Sequence, residues 1–209
     1  MKIILASKSP RRKEILENLG VRFEIMVSDV DESSEEKDPA ALVKELSLRK
    51  GRAVADRIIN ENIYALGEDV YVISSDTVVA SASGEILGKP FDIADARRML
   101  SLIEGKSHFV HSGIAIIKIS ADRDITEAAD TDSTAVEFLH MTEDEIDFYV
   151  KNENVLDKAG AYAIQGIASA WIKKIDGDYF NVVGLPTCKT LSLFKEAFGV
   201  EQRDIICKN

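Results

Sequence analysis

The chain of 209 residues, 45% hydrophobic and 30% charged, is long enough for one substantial α/β core or two small ones. A formal net charge of −10 argues against a surface that neutralises a nucleic-acid backbone, although a local positive pocket for a small anion remains compatible with it. No apolar run approaches the roughly 20 residues of a membrane span, and the short apolar start that runs into two arginines is unlike a signal peptide. The sequence therefore predicts a cytoplasmic protein.

Hydrophobic runs rich in β-branched residues predict the strands. In chain order, they cover residues 2–6, 23–28, 70–80, 107–119 and 133–139, and residues 85–90 indicate a further strand and a turn between the third and fourth of these. Residues 169–184 follow, and the Asp-Gly dipeptide at 176–177 predicts a β-hairpin there.

Apolar residues at helical spacing, together with N-terminal capping residues, predict the helices. They begin after the capping residues Ser9, Asp38, Asp92 and Thr142, and a last helix covers residues 186–198. Because strands and helices alternate early and strands pair more locally later, we expect an α/β fold with a long mixed sheet flanked by helices. The preferred organisation is a single unit over residues 1–209 with two lobes around a cleft.

Two adjacent arginines, Arg11 and Arg12, lie at the start of the first helix, where the backbone already carries partial positive charge. Free N–H groups at a helix start bind anions, and arginine adds bidentate contacts to oxyanions. Neighbouring helical residues point about 100° apart, so we expect only one of the two to face a ligand. The pair predicts a site for a strongly negative ligand, and the alternative is that both side chains are solvated.

Two further charged residues lie where charge is unusual. Asp76 is inside an apolar β run and is followed at once by Thr77. Burial of an unpaired carboxylate is costly, which favours metal binding or activation of a water, against the alternative of a carboxylate that accepts backbone N–H groups. Lys89 lies between Gly88 and Pro90 on a stiff turn, where it either places an ammonium beside phosphate oxygens or is solvated.

The remaining stretches give weaker signals. The acidic loop over residues 29–38 offers carboxylates either for a metal ion or for solvent. Gln165 follows small residues, and its amide donor and acceptor suit the edge of a base. Walker, GxGxxG and GxSxG patterns are absent, and Cys188 and Cys207 show no metal-ligand spacing and are expected to be reduced.

In their order along residues 5–186, seven stretches together closely resemble the Maf family of nucleoside triphosphate pyrophosphatases. These are LASKSPRRKEIL, DVDE, SSDTVV, GKP, SHFVHSGIAII, LDKAGAYAIQG and VVGLP. The resemblance implies hydrolysis of a nucleoside triphosphate to the monophosphate and pyrophosphate with a divalent metal, Mg²⁺ or Mn²⁺. It also implies a fold similar to that of the inosine-triphosphate pyrophosphatases, and usually a homodimer. The GAYAIQG form is similar to the branch that acts on dTTP and UTP.

The resemblance also implies roles for individual residues. Asp76, Lys89 and Glu32 fall on catalytic positions, and Asp76 and Glu32 are also the implied metal ligands. Arg12, Thr77 and Gln165 fall on positions linked to base selection. The implied substrate-binding residues are Ser7, Ser9, Arg11, Arg12 and Lys50.

Two positions depart from the family pattern, since Ser75 stands where alanine is usual and Ser112 replaces a common threonine, and the stretch LSLRKGRA around Lys50 is looser than that pattern. An alternative function is that of a nucleotide-binding regulator of septum formation or cell division with little catalysis. The intact set of Asp76, Arg12 and Lys89 favours the enzyme, because binding alone does not need an acid beside the phosphates.

Overall fold

The computed structural model describes residues 1–64 and 67–206, so Cys207 lies outside the described residues. Its strands form one sheet in the order β2-β1-β3-β5-β6-β7, with β4 paired to β3. β1 runs parallel to β2 and β3, and the other pairs are antiparallel, which confirms the predicted mixed sheet. The strands are β1 (Lys2–Leu5), β2 (Glu24–Ile25), β3 (Val70–Ala80), β4 (Ile86–Leu87), β5 (Ser107–Ile119), β6 (Ile125–Phe138) and β7 (Ile172–Asp176).

Helices flank this sheet, and most begin where the sequence predicts a capping residue. The side chains of Ser9, Asp38, Asp92 and Thr142 each accept a hydrogen bond from a backbone N–H of the first helical turn, which satisfies a donor that the helix itself cannot. Across the described residues, none of the helices is both long and apolar enough to cross a bilayer. The helices are α1 (Pro10–Asn18), α2 (Pro39–Asn60), α3 (Ile93–Ile103), α4 (Glu143–Asn152), α5 (Tyr179–Val183), α6 (Thr187–Phe198) and α7 (Gln202–Ile205).

The hydrophobic core is divided along the length of β3. In its first half, Tyr71 and Val72 point to opposite faces, where they join separate clusters that pack under α6 and under α2. Near its other end, Val79 belongs to a third cluster with α3 and α4. The polar residues 74–77 lie between these clusters. The first two clusters belong to one lobe and the third cluster belongs to the other. The centre of β3 lies where these two lobes meet, and a cleft opens there.

Three predicted elements differ from the structure. The hairpin over residues 169–184 is wrong: β7 pairs with β6, and the segment after Gly177 turns into α5. Gly177 has a φ of 135° and follows the end of β7, and the Asp178 side chain accepts from Phe180 N and caps α5, so the Asp-Gly dipeptide precedes a helix and forms no hairpin. β6 begins at Ile125 instead of residue 133, because its polar first half pairs with β5 along the solvent-facing part of the sheet. β2 is shorter than predicted.

Candidate active site

A cleft of about 710 Å³ lies between the lobes, within the size range of small-molecule sites. Its lining carries six lysine or arginine side chains and three aspartate or glutamate side chains, so it is locally positive in a chain of net charge −10. All ten predicted site residues line this one cleft: Ser7, Ser9, Arg11, Arg12, Glu32, Lys50, Asp76, Thr77, Lys89 and Gln165. They come from the turn between β1 and α1, from α1, the acidic loop, α2, β3, the turn after β4 and the loop over residues 157–166.

A buried ion pair lies at the floor of the cleft. Lys50 Nζ is 2.6 Å from Asp76 Oδ1 and 3.0 Å from Glu32 Oε2, so one ammonium bridges two carboxylates. The side chains of Lys50 and Asp76 are 10% and 11% exposed, whereas that of Glu32 is 55% exposed. The charge of Asp76 therefore has the partner that its burial requires, and the sequence analysis did not predict which residue this would be.

The close approach of α2 to β3 brings Lys50 to Asp76. Ser74 Oγ donates a hydrogen bond of 2.6 Å to the carbonyl of Ser47, which ties the strand to the helix one turn before Lys50. A Cβ at Gly51 would lie 2.7 Å from Ser74 Oγ, so only glycine allows the helix to lie this near. Ser74, a polar residue in an apolar strand, and Gly51, a glycine in a helix, are thus both required for the same close contact between β3 and α2.

Arg12 is held by three hydrogen bonds on the other side of the cleft floor. Its Nε donates to the carbonyl of Gly184 at 2.8 Å, Nη1 to Ser7 Oγ at 3.2 Å and Nη2 to Thr77 Oγ1 at 3.1 Å. Burial lowers the pKa of Arg12, and the nearby carboxylate of Asp76 partly offsets this effect. Two of the five guanidinium N–H donors remain for a ligand.

The two departures from the family pattern both lie behind Arg12. Ser75 Oγ donates to the carbonyl of Gly184 at 3.0 Å, and Ser112 Oγ lies 2.9 Å from Thr77 Oγ1. These hydroxyls touch two of the three groups that Arg12 itself contacts, the carbonyl of Gly184 and the hydroxyl of Thr77. Ser75 and Ser112 thus add hydrogen bonds to the support of the guanidinium and take no part in the lining of the cleft.

Arg11 also lines the cleft, so both arginines of the pair reach it, and the expectation that only one of them faces a ligand stays a prediction. It donates to Asp157 Oδ2 at 3.4 Å and to the Asp157 carbonyl at 3.3 Å. Asp157 begins the loop over residues 157–166, which crosses from the other lobe. Arg11 thereby joins α1 to this loop.

The loop over residues 157–166 is anchored at two further points. Gly160 N donates to the carbonyl of Gly88 at 3.0 Å, and with a φ of 65° its absent Cβ would lie 2.8 Å from Val79 Cγ2. Tyr162 OH lies 2.7 Å from His108 Nε2, and burial lowers the pKa of His108 to about 4. This anchor therefore does not change its protonation near neutral pH. The loop carries Gln165, which is exposed at the cleft.

A divalent metal ion fits the carboxylates that the resemblance implies. Within residues 1–64 and 67–206, no group of three or more histidine, cysteine, aspartate or glutamate side chains could hold a metal ion. Asp76 and Glu32 nevertheless lie close enough to share one cation, since the Lys50 ammonium contacts both. Mg²⁺ in nucleotide sites is commonly bound by one or two carboxylates with phosphate oxygens and water, which is compatible with this pair.

Some groups at the cleft were missed from the sequence. The carbonyl of Gly184 holds Arg12, but a backbone atom leaves no side-chain signal beyond the VVGLP stretch itself. Lys158 and Tyr162 also line the cleft, and both lie in the LDKAGAYAIQG stretch, where only Gln165 had been given a role. The feature of the sequence that could have indicated them is the similarity of several consecutive residues in that stretch to the Maf family.

The cleft between the two lobes of this α/β fold holds a buried carboxylate beside several cations. Such a site is typical of the class of protein that binds a polyanionic ligand. The model of the family described as Maf-like protein matches residues 2–197. The chain belongs to the Maf-like protein family.

Relatives with established names cover almost the whole chain. This chain is 44% identical to the dTTP/UTP pyrophosphatase of Caldanaerobacter subterraneus subsp. tengcongensis, over 96% of this chain and 91% of that relative. It is also 44% identical to the dTTP/UTP pyrophosphatase of Bacillus thuringiensis subsp. konkukian, over 93% and 95%. Among solved structures, a HAM1 protein from Coxiella burnetii matches with a TM-score of 0.45 and 14% identity, over 66% of this chain and 73% of that one.

Proposed function

We propose that this protein hydrolyses dTTP and UTP to the monophosphates and pyrophosphate. Relatives that carry the name dTTP/UTP pyrophosphatase, 42–44% identical over almost the whole chain, support this activity. The observation that carries it in this chain is the ion pair of Asp76 and Lys50 in a cleft with several further cations. A regulator that only binds nucleotides would not need an acid at that position, so the alternative function is not favoured.

In this proposal, the triphosphate is held from one side by α1 and from the other by the turn after β4. Arg12 offers the two N–H groups that its protein contacts leave free, and Lys89 is an exposed ammonium at the cleft. Arg11, Ser7 and the N-terminus of α1, which Ser9 caps, complete the positive side. Cations drawn from both lobes would stabilise the charge that develops on the departing pyrophosphate.

The reaction is the attack of water on the α-phosphorus. A bond forms from the water oxygen to phosphorus, the bond to the bridging oxygen breaks, and pyrophosphate leaves. Asp76 either accepts the proton of the water or acts chiefly as a metal ligand, and both roles need the carboxylate. Lys50 fixes the orientation of that carboxylate through its 2.6 Å contact.

The proposed cofactor is Mg²⁺ or Mn²⁺, which Asp76 and Glu32 would hold. When bound, such an ion offsets negative charge on the phosphate oxygens. Oxygen ligands suit both of these hard ions, so the residues do not choose between them.

A panel of nucleoside triphosphates, with and without Mg²⁺, tests the proposed function. We expect dTTP and UTP to give pyrophosphate and the monophosphate, with kcat/KM at least about tenfold above those of the purine nucleotides, because mismatched polar groups cost about 1–3 kcal/mol. Chromatography of the products separates this reaction from release of the terminal phosphate. Tight binding of dTTP without pyrophosphate release would instead support the regulator.

Base selection is assigned to Gln165, together with Thr77 and Arg12. An amide offers one donor and one acceptor, which match the O4 and N3–H edge shared by thymine and uracil. Replacement Gln165→Glu removes the donor, so we expect kcat/KM for dTTP and UTP to fall about tenfold or more. Inhibition by pyrophosphate measures phosphate binding in the same variant and should change less. An equal loss for all four bases would contradict this assignment.

Other expectations from the sequence stay proposals. These are a homodimer, the lack of a nucleic-acid partner, a cytoplasmic location and a single structural unit over residues 1–209. The net charge of −10 supports the lack of a nucleic-acid partner, because a surface that binds nucleic acid needs a basic stripe.

A further inference from the structure

Lys158 is a buried cation at the cleft. It lies in the loop over residues 157–166, lines the cleft, and its side chain is only 10% exposed. Lysine is rarely buried to this extent without a partner or a ligand. Asp157 and the carbonyl of Asn154 compensate this burial in part, and the place of Lys158 in the cleft lining puts the same ammonium next to the space for a ligand.

Backbone and side-chain contacts place Lys158 between two of the proposed phosphate-binding cations. On one side, Asp157 accepts from Lys158 Nζ at 2.8 Å and from Arg11 Nη1 at 3.4 Å. On the other side, Gly160 N donates to the carbonyl of Gly88, next to Lys89. Asp157 thus joins Lys158 to Arg11, and the loop that carries Lys158 contacts the turn that carries Lys89, so three cleft-lining cations from separate parts of the chain belong to connected segments.

The ammonium of Lys158 is not fully used by the protein. It has three N–H donors. One contacts Asp157 Oδ1 at 2.8 Å, and another contacts the carbonyl of Asn154. One N–H donor therefore remains without a protein acceptor, on a side chain that lines the cleft and is held by two protein contacts.

We propose that Lys158 is a phosphate-binding residue that contacts the pyrophosphate part of the nucleotide. This inference rests on the proposed function, because that function supplies the triphosphate. Arg11 and Lys89 flank Lys158, so the β- and γ-phosphates meet a row of three cations. Asp157 holds two of these cations in place and lowers the net charge of the row when no substrate is bound.

Two substitutions that break the same ion pair test the proposal. Lys158→Gln removes a positive charge from the cleft, whereas Asp157→Asn removes a negative charge, and both abolish the ion pair between the two side chains while an amide at either position can still form a hydrogen bond. If Lys158 binds phosphate, its replacement weakens inhibition by pyrophosphate about tenfold, which is about 1.4 kcal/mol, and Asp157→Asn leaves inhibition unchanged or tightens it. If the ion pair only supports the loop, both variants weaken inhibition, and that result would overturn the proposal.

Two controls separate a direct contact from other effects. Lys8 also lines the cleft, but its side chain is 73% exposed, so Lys8→Gln reports the effect of one lost charge on the field of the cleft. An equal loss in Lys8→Gln and Lys158→Gln would exclude a specific contact. Inhibition by dTMP should change less than about twofold in Lys158→Gln, since the monophosphate lacks the pyrophosphate part. A wild-type protein that releases no pyrophosphate would contradict the proposed function itself, which distinguishes the two failures.

Discussion

Replacement of Asp76 by asparagine is expected to lower kcat for dTTP hydrolysis about a thousandfold. General-base groups contribute about 10²–10⁴ to a rate, and loss of a metal-ligating carboxylate would be at least as severe. Asparagine keeps the size of the side chain and can still accept a hydrogen bond from Lys50. Lys50 also keeps Glu32 at 3.0 Å, so we expect the free energy of unfolding to fall by only about 1 kcal/mol.

Two measurements on this variant decide what Asp76 does. Pyrophosphate release under saturating dTTP gives kcat, and a rate above about a tenth of the wild-type value would be incompatible with either role. Titration of Mn²⁺ in the presence of a non-hydrolysable dTTP analogue gives the metal affinity. An unchanged affinity with lost turnover identifies Asp76 as the proton acceptor, whereas a loss of both identifies it as a ligand.

The elements that the sequence predicts best are those whose signals are local. β3 and β5 coincide with the predicted residues 70–80 and 107–119, because their β-branched, apolar runs are buried over most of their length. The helix starts follow from capping residues that act within one turn, and the predicted cap Thr142 forms a capping box with Glu145. These features depend on neighbours along the chain and need no knowledge of tertiary contacts.

The errors arise where pairing between distant segments decides the structure. The first half of β6 is polar, and only its register with β5 makes it a strand. Asp176 ends β7, and the dipeptide that it forms with Gly177 could lead the chain into a hairpin or into a helix. The carboxylate of Asp178 caps α5 and decides between them. The alternation of apolar and polar residues along a strand does not show which other segment the strand pairs with.

The candidate site shows the same division. The types of its side chains follow from the sequence, and all ten of them reach one cleft. Their partners do not follow from the sequence: Lys50 lies between Asp76 and Glu32, Arg11 contacts Asp157, and Arg12 contacts a backbone carbonyl. Sequence reasoning assigned Lys50 to substrate and the two carboxylates to metal, without the ion pair that joins all three.

This ion pair makes Lys50 the residue whose loss should harm both stability and activity. Lys50→Met removes the only ion-pair partner of Asp76 in the part of the chain that the structure describes, and leaves an 11% exposed carboxylate without it. Removal of one partner from a buried pair typically costs about 3–5 kcal/mol. Some water reaches this cleft, so we expect the free energy of unfolding at pH 7 to fall by about 2–4 kcal/mol, more than for Asp76→Asn.

Urea unfolding of a matched set checks this expectation. The double variant Lys50→Met/Asp76→Asn buries no unpaired charge, so it should recover most of the stability lost in Lys50→Met, yet remain inactive because the carboxylate is gone. Glu32→Gln should cost less than about 1 kcal/mol, since Glu32 is 55% exposed and solvent screens its contact. Equal destabilisation by Lys50→Met and the double variant would show that packing of the lysine side chain, and not its charge, supports the cleft floor.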